Sequence, residues 1–323
     1  MNALLFLLAL VVLVLASLAW FTHRTARRIE QFLPAKGQFV EVPGGRLHVR
    51  LHEGAGPAAP AVLLVHGLGG QMSHFDYGLV ERLARNYRVA VVDRPGSGHS
   101  LRDELHGADV SSQAEALAVL IGKLNLDRPT VVGHSLGGAI ALALALEHPG
   151  AVGALALVAP LTHAPDTVPE AFKALTIETR WVRKLFAWTL ATPASIAGSK
   201  KVLAHVFAPE PVPADFAVKG GGLLSLRPKQ FLAASSDLQA IPLRMPAVEA
   251  RYAELKLPVG VLYGRDDAIL DWKKNGQALV DKVAGARLEL VDGGHMLPVT
   301  QPELTAAFVE RIAGPGAARA AAG

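Results

Sequence analysis

Ser135 stands between two glycines in Val131-Val132-Gly133-His134-Ser135-Leu136-Gly137-Gly138, where an apolar run ends and an Ala/Leu-rich run begins. A G-x-S-x-G pattern on a strand-to-helix turn lifts a serine hydroxyl above a sheet, where it can attack a carbonyl carbon. The flanking glycines leave room where a Cβ would meet the strand or the helix. Alone the motif is weak. With glycine near ~7% of residues, chance supplies it in roughly one chain in ten of this length, and Ser135 would then be a plain helix N-cap. Three other segments carry residues fit for the same chemistry: His66-Gly67-Leu68-Gly69-Gly70, Gly264-Arg265-Asp266-Asp267 and Gly293-Gly294-His295.

Each of these segments comes directly after an apolar run with the pattern of a strand. Residues 61–65 are continuously apolar and 88–92, 129–132, 154–158 and 258–263 are short and mostly so, as suits strands buried on both faces; 287–291 is the last strand. Helical spacing fills 73–85, 111–124 and 139–147, with Ser111 as a cap, and a last helix is capped by Thr300. Residues 38–42 and 46–53 read as two strands around Pro43-Gly44-Gly45, with His48 and His52 as surface residues. The alternation predicts a parallel sheet covered on both faces, whose carboxyl-end loops line one edge. Between 160 and 255 the rhythm gives way to helical segments without a buried strand.

Composition narrows the class. The 323 residues are 51% hydrophobic and include no cysteine, which excludes disulfides and thiol catalysis. The net charge of +4 is not gathered into a basic stripe with aromatics, so a nucleic-acid partner is not expected. No His-x-x-x-His, carboxylate cluster or phosphate loop points to a metal or cofactor. The run from Leu4 to Phe21 is uncharged and, as a helix, about 27 Å long, enough for a single membrane span. Only Met1-Asn2-Ala3 precedes it, without the basic start of a signal peptide, so an uncleaved anchor over 1–22 is expected. Arg24, Arg27 and Arg28 then place the body on the cytoplasmic side, whereas cleavage near Ser17-Leu18-Ala19 would export it. A linker over 23–37, a catalytic domain over 38–313 and a disordered tail over 314–323 complete the expected organisation. The oligomeric state is left open.

Across 38–313 these motifs, with Asp93-Arg94-Pro95-Gly96-Ser97-Gly98-His99-Ser100, resemble α/β-hydrolases of the lipase, esterase and monoacylglycerol-lipase kind. The resemblance implies a mostly parallel eight-stranded sheet, with helices on both faces and a helical cap after the sixth strand. It implies Ser135 as nucleophile, His295 as base and an aspartate that orients the histidine, in the order Ser, acid, His. Family spacing selects Asp267, with Asp266 and then Asp271 as alternatives. The main-chain N–H groups of Leu68 and Leu136 would form the oxyanion hole, a structural role being the more natural one for His66. His66, Gly67, Trp181 and Phe186 are candidates for substrate contact, the two aromatics either as cap core or as an acyl-binding wall. His134 would point into the fold, and Asp93 and His99 would order their turn. The implied reaction is hydrolysis of lipid-like or small acyl esters without a cofactor. A C–C bond hydrolase, an acyltransferase or a cofactor-free haloperoxidase would use the same triad, and a silent binding protein could share the fold. Epoxide hydrolases and haloalkane dehalogenases are disfavoured, because their nucleophile is an aspartate.

Overall fold

The computed structural model describes residues 2–314, apart from Ala55, 104–106, Asp166 and Pro169. Within these, nine strands form one sheet: β1 (Gln38–Val42), β2 (Gly45–His52), β3 (Ala61–Val65), β4 (Arg88–Val92), β5 (Leu101–Arg102), β6 (Thr130–His134), β7 (Ala154–Val158), β8 (Val259–Gly264) and β9 (Arg287–Val291). Their spatial order is β1-β2-β4-β3-β6-β7-β8-β9, with β5 beside β2. Pairing is parallel from β4 through β9 and antiparallel at β1 and β2. Eight of these strands are those the sequence predicts. The ninth, β5, has two residues and is too short to carry a period.

The helices are α1 (Asn2–Phe32), α2 (Leu79–Leu83), α3 (Val110–Lys123), α4 (Leu136–Glu147), α5 (Arg180–Thr189), α6 (Ala191–Phe207), α7 (Pro228–Glu249), α8 (Ala278–Val280), α9 (Leu297–Thr300) and α10 (Pro302–Ala313). Alternate residues of the central strands serve two cores, as the strand period of two requires. Leu63 and Val65 of β3 pack with α3 and α4, while Val62 and Leu64 pack with α2 and α10. Burying each such Val or Leu stabilises the fold by roughly 1.5–3 kcal/mol. This explains the unbroken apolar runs. Helix α4 is buried from Leu136 to Leu146, so it is apolar on every side.

Residues between β7 and β8 form the helical cap, built on α5, α6 and α7. Local starts and stops differ from expectation in three places. Asp109, not Ser111, caps α3: its carboxylate accepts from the N–H groups of Ser111 and Ser112, both at 3.1 Å. Gly78, at φ +112°, divides the predicted 73–85 helix into a short turn (Met72–Phe75) and α2. Thr300 ends α9, and Gln301 precedes α10. His48 is also not a surface residue. It is 3% exposed, with Nδ1 2.8 Å from Asp93.

Helix α1 departs most from the expected organisation. It continues without a break through Phe32, across most of the stretch read as a linker. The sequence has no proline or glycine between Thr22 and Leu33 to stop it. Thr22 and Ile29, two turns apart on one face, are buried where α1 packs against α5 and the turn Gly222–Leu226. Thr22 Oγ1 donates to Thr189 O at 3.4 Å, and Glu30 pairs with Arg227 at 3.2 Å. The apolar part of α1 is exposed apart from partial cover at Leu15, Leu18 and Ala19, and the helix is long and apolar enough to cross a membrane. Beyond Gly314, the expected loose tail lies outside the described residues.

Candidate active site

The sheet brings the candidate residues to one edge. Strand β3 lies between β4 and β6, so the 66–70 loop rises beside the turn that carries Ser135; β8 lies beside β9, so the Asp267 loop meets the His295 loop. Ser135 has φ +54° and ψ −123°, a backbone region that costs a non-glycine residue of order 1–3 kcal/mol. Its N–H donates to Val158 O at 3.1 Å, and its carbonyl accepts from Gly138 at 2.8 Å and Leu161 at 2.9 Å. The flanking glycines are required by close approach. A Cβ on Gly133 would lie 2.6 Å from Gly137 O, and one on Gly137 would lie 2.3 Å from Val65 O.

Of the three candidate carboxylates, Asp267 is the one that meets the histidine. Its Oδ2 accepts from His295 Nδ1 at 2.7 Å, and its Oδ1 accepts from the N–H groups of Ile269 (2.8 Å) and Leu270 (2.9 Å). Asp266 is exposed, and Asp271 caps its own turn by accepting from Lys273 N–H at 2.7 Å. The two loops touch backbone to backbone, since a Cβ on Gly264 would lie 2.2 Å from Gly293 O. The cap supports the histidine loop through Glu210, whose carboxylate accepts from Gly294 N–H at 3.2 Å.

His134 points into the fold. Its Nε2 donates to His295 O at 3.0 Å, and burial, then the neighbouring His295, holds its pKa well below the usual range. His66 is wholly buried. Its Nδ1 donates to Gly67 O at 2.9 Å, and its Nε2 accepts from Arg94 N–H at 3.0 Å. Burial first, and Arg94 second, push its pKa well below the ordinary value, so the ring is neutral. With both nitrogens used inside the loop, His66 has none left for a substrate. Gly67 lies directly against Ser135: a Cβ there would be 2.8 Å from Ser135 Cβ and 3.2 Å from its Oγ.

Arg94 is the residue that sequence reasoning missed. Its guanidinium is buried and donates to His66 O and Gly67 O, both at 2.9 Å, and to Asp237 of α7 at 2.8 Å. In the trans peptide 67–68, fixing the carbonyl toward Arg94 sends the Leu68 N–H the opposite way. Hydrogen bonding to that carbonyl also polarises the N–H. Only its place beside Asp93 marked Arg94 in the sequence. Arg94→Met should lower unfolding free energy by about 3–5 kcal/mol, because Asp237 loses half of a buried ion-pair network. Arg102, 2.6 Å from the other Asp237 oxygen, remains. Urea unfolding measures the loss, and an unchanged midpoint would refute the role.

The two aromatic candidates do not line this edge. Trp181 is 70% exposed, and Phe186 packs on Phe231 inside the cap, with ring centroids 5.3 Å apart. Met296, next in the chain to His295, is buried in a small core with Phe207, Phe216 and Val299. The spacing of Phe207 and Phe216, across a loop, carried no periodic signal. Ser135 and His295 are nearly enclosed, at 9% and 4% exposed. The cap closes on the neighbouring loop where Gln230 donates to Gly70 O at 3.1 Å and Gln71 donates to Gly220 O. A cavity of about 320 Å³, lined in part by Phe32, Lys36, His48 and Asp93, includes none of Ser135, Asp267 and His295. Among the described residues, no group of three His, Asp or Glu is arranged to hold a metal ion.

An enclosed serine at a strained turn, with a histidine–carboxylate pair on the neighbouring loops, is an arrangement suited to acyl transfer. Comparison with known proteins agrees in fold and class. The family model for the alpha/beta hydrolase fold matches residues 60–302. A relative from Stutzerimonas stutzeri (strain A1501) named putative carbamate hydrolase RutD is 26% identical over 263 residues, covering 80% of this chain and 92% of its own. The crystal structure of an alpha/beta hydrolase fold protein from Burkholderia ambifaria aligns with a TM-score of 0.70 at 25% identity, covering 84% of this chain and 96% of that one. The crystal structure of a membrane phospholipase A aligns with a TM-score of 0.66 at 25% identity, covering 96% and 97%. By its strand order, its capped sheet and the family model that spans most of it, this chain belongs to the α/β-hydrolase fold family.

Proposed function

We propose that this protein is a membrane-anchored serine hydrolase that cleaves carboxylic esters of lipid-like substrates. The single observation that carries the reading is the 2.7 Å contact of Asp267 with His295 Nδ1, on loops that share an edge with Ser135. Ser135 Oγ attacks the ester carbonyl as His295 Nε2 takes its proton, and Asp267 stabilises the imidazolium through Nδ1–H. The oxyanion meets the N–H groups of Leu68 and Leu136, each worth about 3 kcal/mol to the transition state. The proton then passes to the departing alcohol, leaving an acyl-Ser135. Water, deprotonated by His295, hydrolyses that ester and restores the serine.

The membrane half of the reading rests on α1. An alignment covering 96% of the chain with a membrane phospholipase A takes in part of that helix. The test is labelling of the full-length protein by a fluorophosphonate, then turnover of p-nitrophenyl esters of increasing chain length, with a carbamate in the same panel. Labelling together with faster turnover of longer chains is expected. A folded protein that takes no label is not a serine hydrolase. Labelling without ester turnover would favour acyl transfer or C–C cleavage, and turnover of the carbamate alone would shift the substrate class.

A further inference from the structure

Two tryptophans and a leucine lie exposed on one helix of the cap. Trp181 (70% exposed), Leu185 (45%) and Trp188 (44%) stand at i, i+4 and i+7 of α5 and share one face. The other side of α5 is used by the cap, where Ala187 is buried, Phe186 packs on Phe231 and Arg183 reaches Ser235. Contiguous exposed apolar surface of this kind marks an interaction site. Its occupant is indicated by what α5 packs against. Partial burial on α1 begins at Leu15, Leu18 and Ala19, inside its apolar run, and α1 packs against α5. The exposed face thus belongs to a helix that packs on α1, whose apolar run is suited to lipid. Exposed Arg180 and Lys184 border the face, which gives the composition of a helix lying in a lipid interface, with aromatics inward and basic groups at headgroup level.

We propose that α5 rests in the interfacial layer of the bilayer, with Trp181, Leu185 and Trp188 in contact with phospholipid and Arg180 and Lys184 near the phosphates. This rests on the membrane reading of α1 and adds a second, monotopic contact to it. The cap that encloses Ser135 would then sit at the surface where acyl chains reside.

The chain has four tryptophans and no cysteine, which makes the test direct. Full-length variants that each retain only Trp20, Trp181 or Trp188, with phenylalanine at the other tryptophan positions, are reconstituted in phosphatidylcholine–phosphatidylglycerol vesicles with brominated acyl chains. Loss of Trp181 and Trp188 emission comparable to that of Trp20 is expected. Quenching of Trp20 alone would overturn the proposal and leave the anchor standing. Absence of quenching at all three would overturn the anchor itself. As an independent measurement, Leu185→Cys should react more slowly with a membrane-impermeant maleimide in vesicles than in detergent. Equal rates, or a disulfide-linked dimer through that cysteine, would also overturn it.

Discussion

Ser135→Ala is expected to lower kcat for a p-nitrophenyl ester by ~10⁶-fold, with KM changed little. In the proposed mechanism the serine supplies the atom that bonds to the acyl carbon, so no neighbour can substitute for it. Removing His295 as well should add almost nothing, since nucleophile and base act as one unit and their losses do not sum. The same site predicts a gain in stability from an inactive protein. Ser135 is held at φ +54° by its N–H donating to Val158 O and its carbonyl accepting from the N–H groups of Leu161 and Gly138. Glycine adopts this conformation without a Cβ penalty. Ser135→Gly should therefore be as inactive as the alanine variant yet unfold at a higher denaturant concentration than it does. Steady-state kinetics with urea unfolding on both variants checks this. Appreciable turnover by purified Ser135→Ala would remove the serine from the mechanism.

Much of this site was legible because its parts are tied to strand ends. A buried parallel strand advertises itself as a short apolar run, and the residues immediately after it lie at the functional edge. Ser135, the Asp266/Asp267 pair and His295 could thus be gathered from their positions in the chain. The choice between the two aspartates rested on family spacing alone; in the structure one carboxylate turns inward to His295 and the other stays in water. The illegible part depends on contacts between segments far apart in the chain. Arg94 and Asp237 are 143 residues apart and meet only because α7 folds over the sheet. Trp181 looked like cap core because its spacing to Leu185 and Trp188 is helical, and periodicity reports a shared face without saying what covers it. The linker expected after the apolar run was a misreading of polarity. The segment His23–Phe32 is polar because one side faces water, while Thr22 and Ile29 hold the other side to the cap.

Asp267→Asn is expected to lower kcat by ~10⁴-fold with the fold intact, whereas Asp266→Asn should leave kcat within about twofold. An asparagine side-chain oxygen at position 267 can still accept from the N–H groups of Ile269 and Leu270, as Oδ1 does now. That fixes the amide so that its NH₂ faces His295 Nδ1. Nδ1 must then accept a hydrogen bond instead of donating one, and the ring proton moves to Nε2. A histidine protonated at Nε2 cannot take the proton of Ser135, so the base is lost while every contact is kept. At position 266 the carboxylate is solvent-exposed, and the backbone N–H holds the turn by donating to Gly293 O at 3.0 Å. The charge lost there is screened by water, and the backbone contact that holds the loop is kept. Comparable losses in the two variants would mean that the loop as a whole matters more than the pairing. The reverse ranking would transfer the orienting role to Asp266, which would require the 264–271 turn to rearrange when substrate binds.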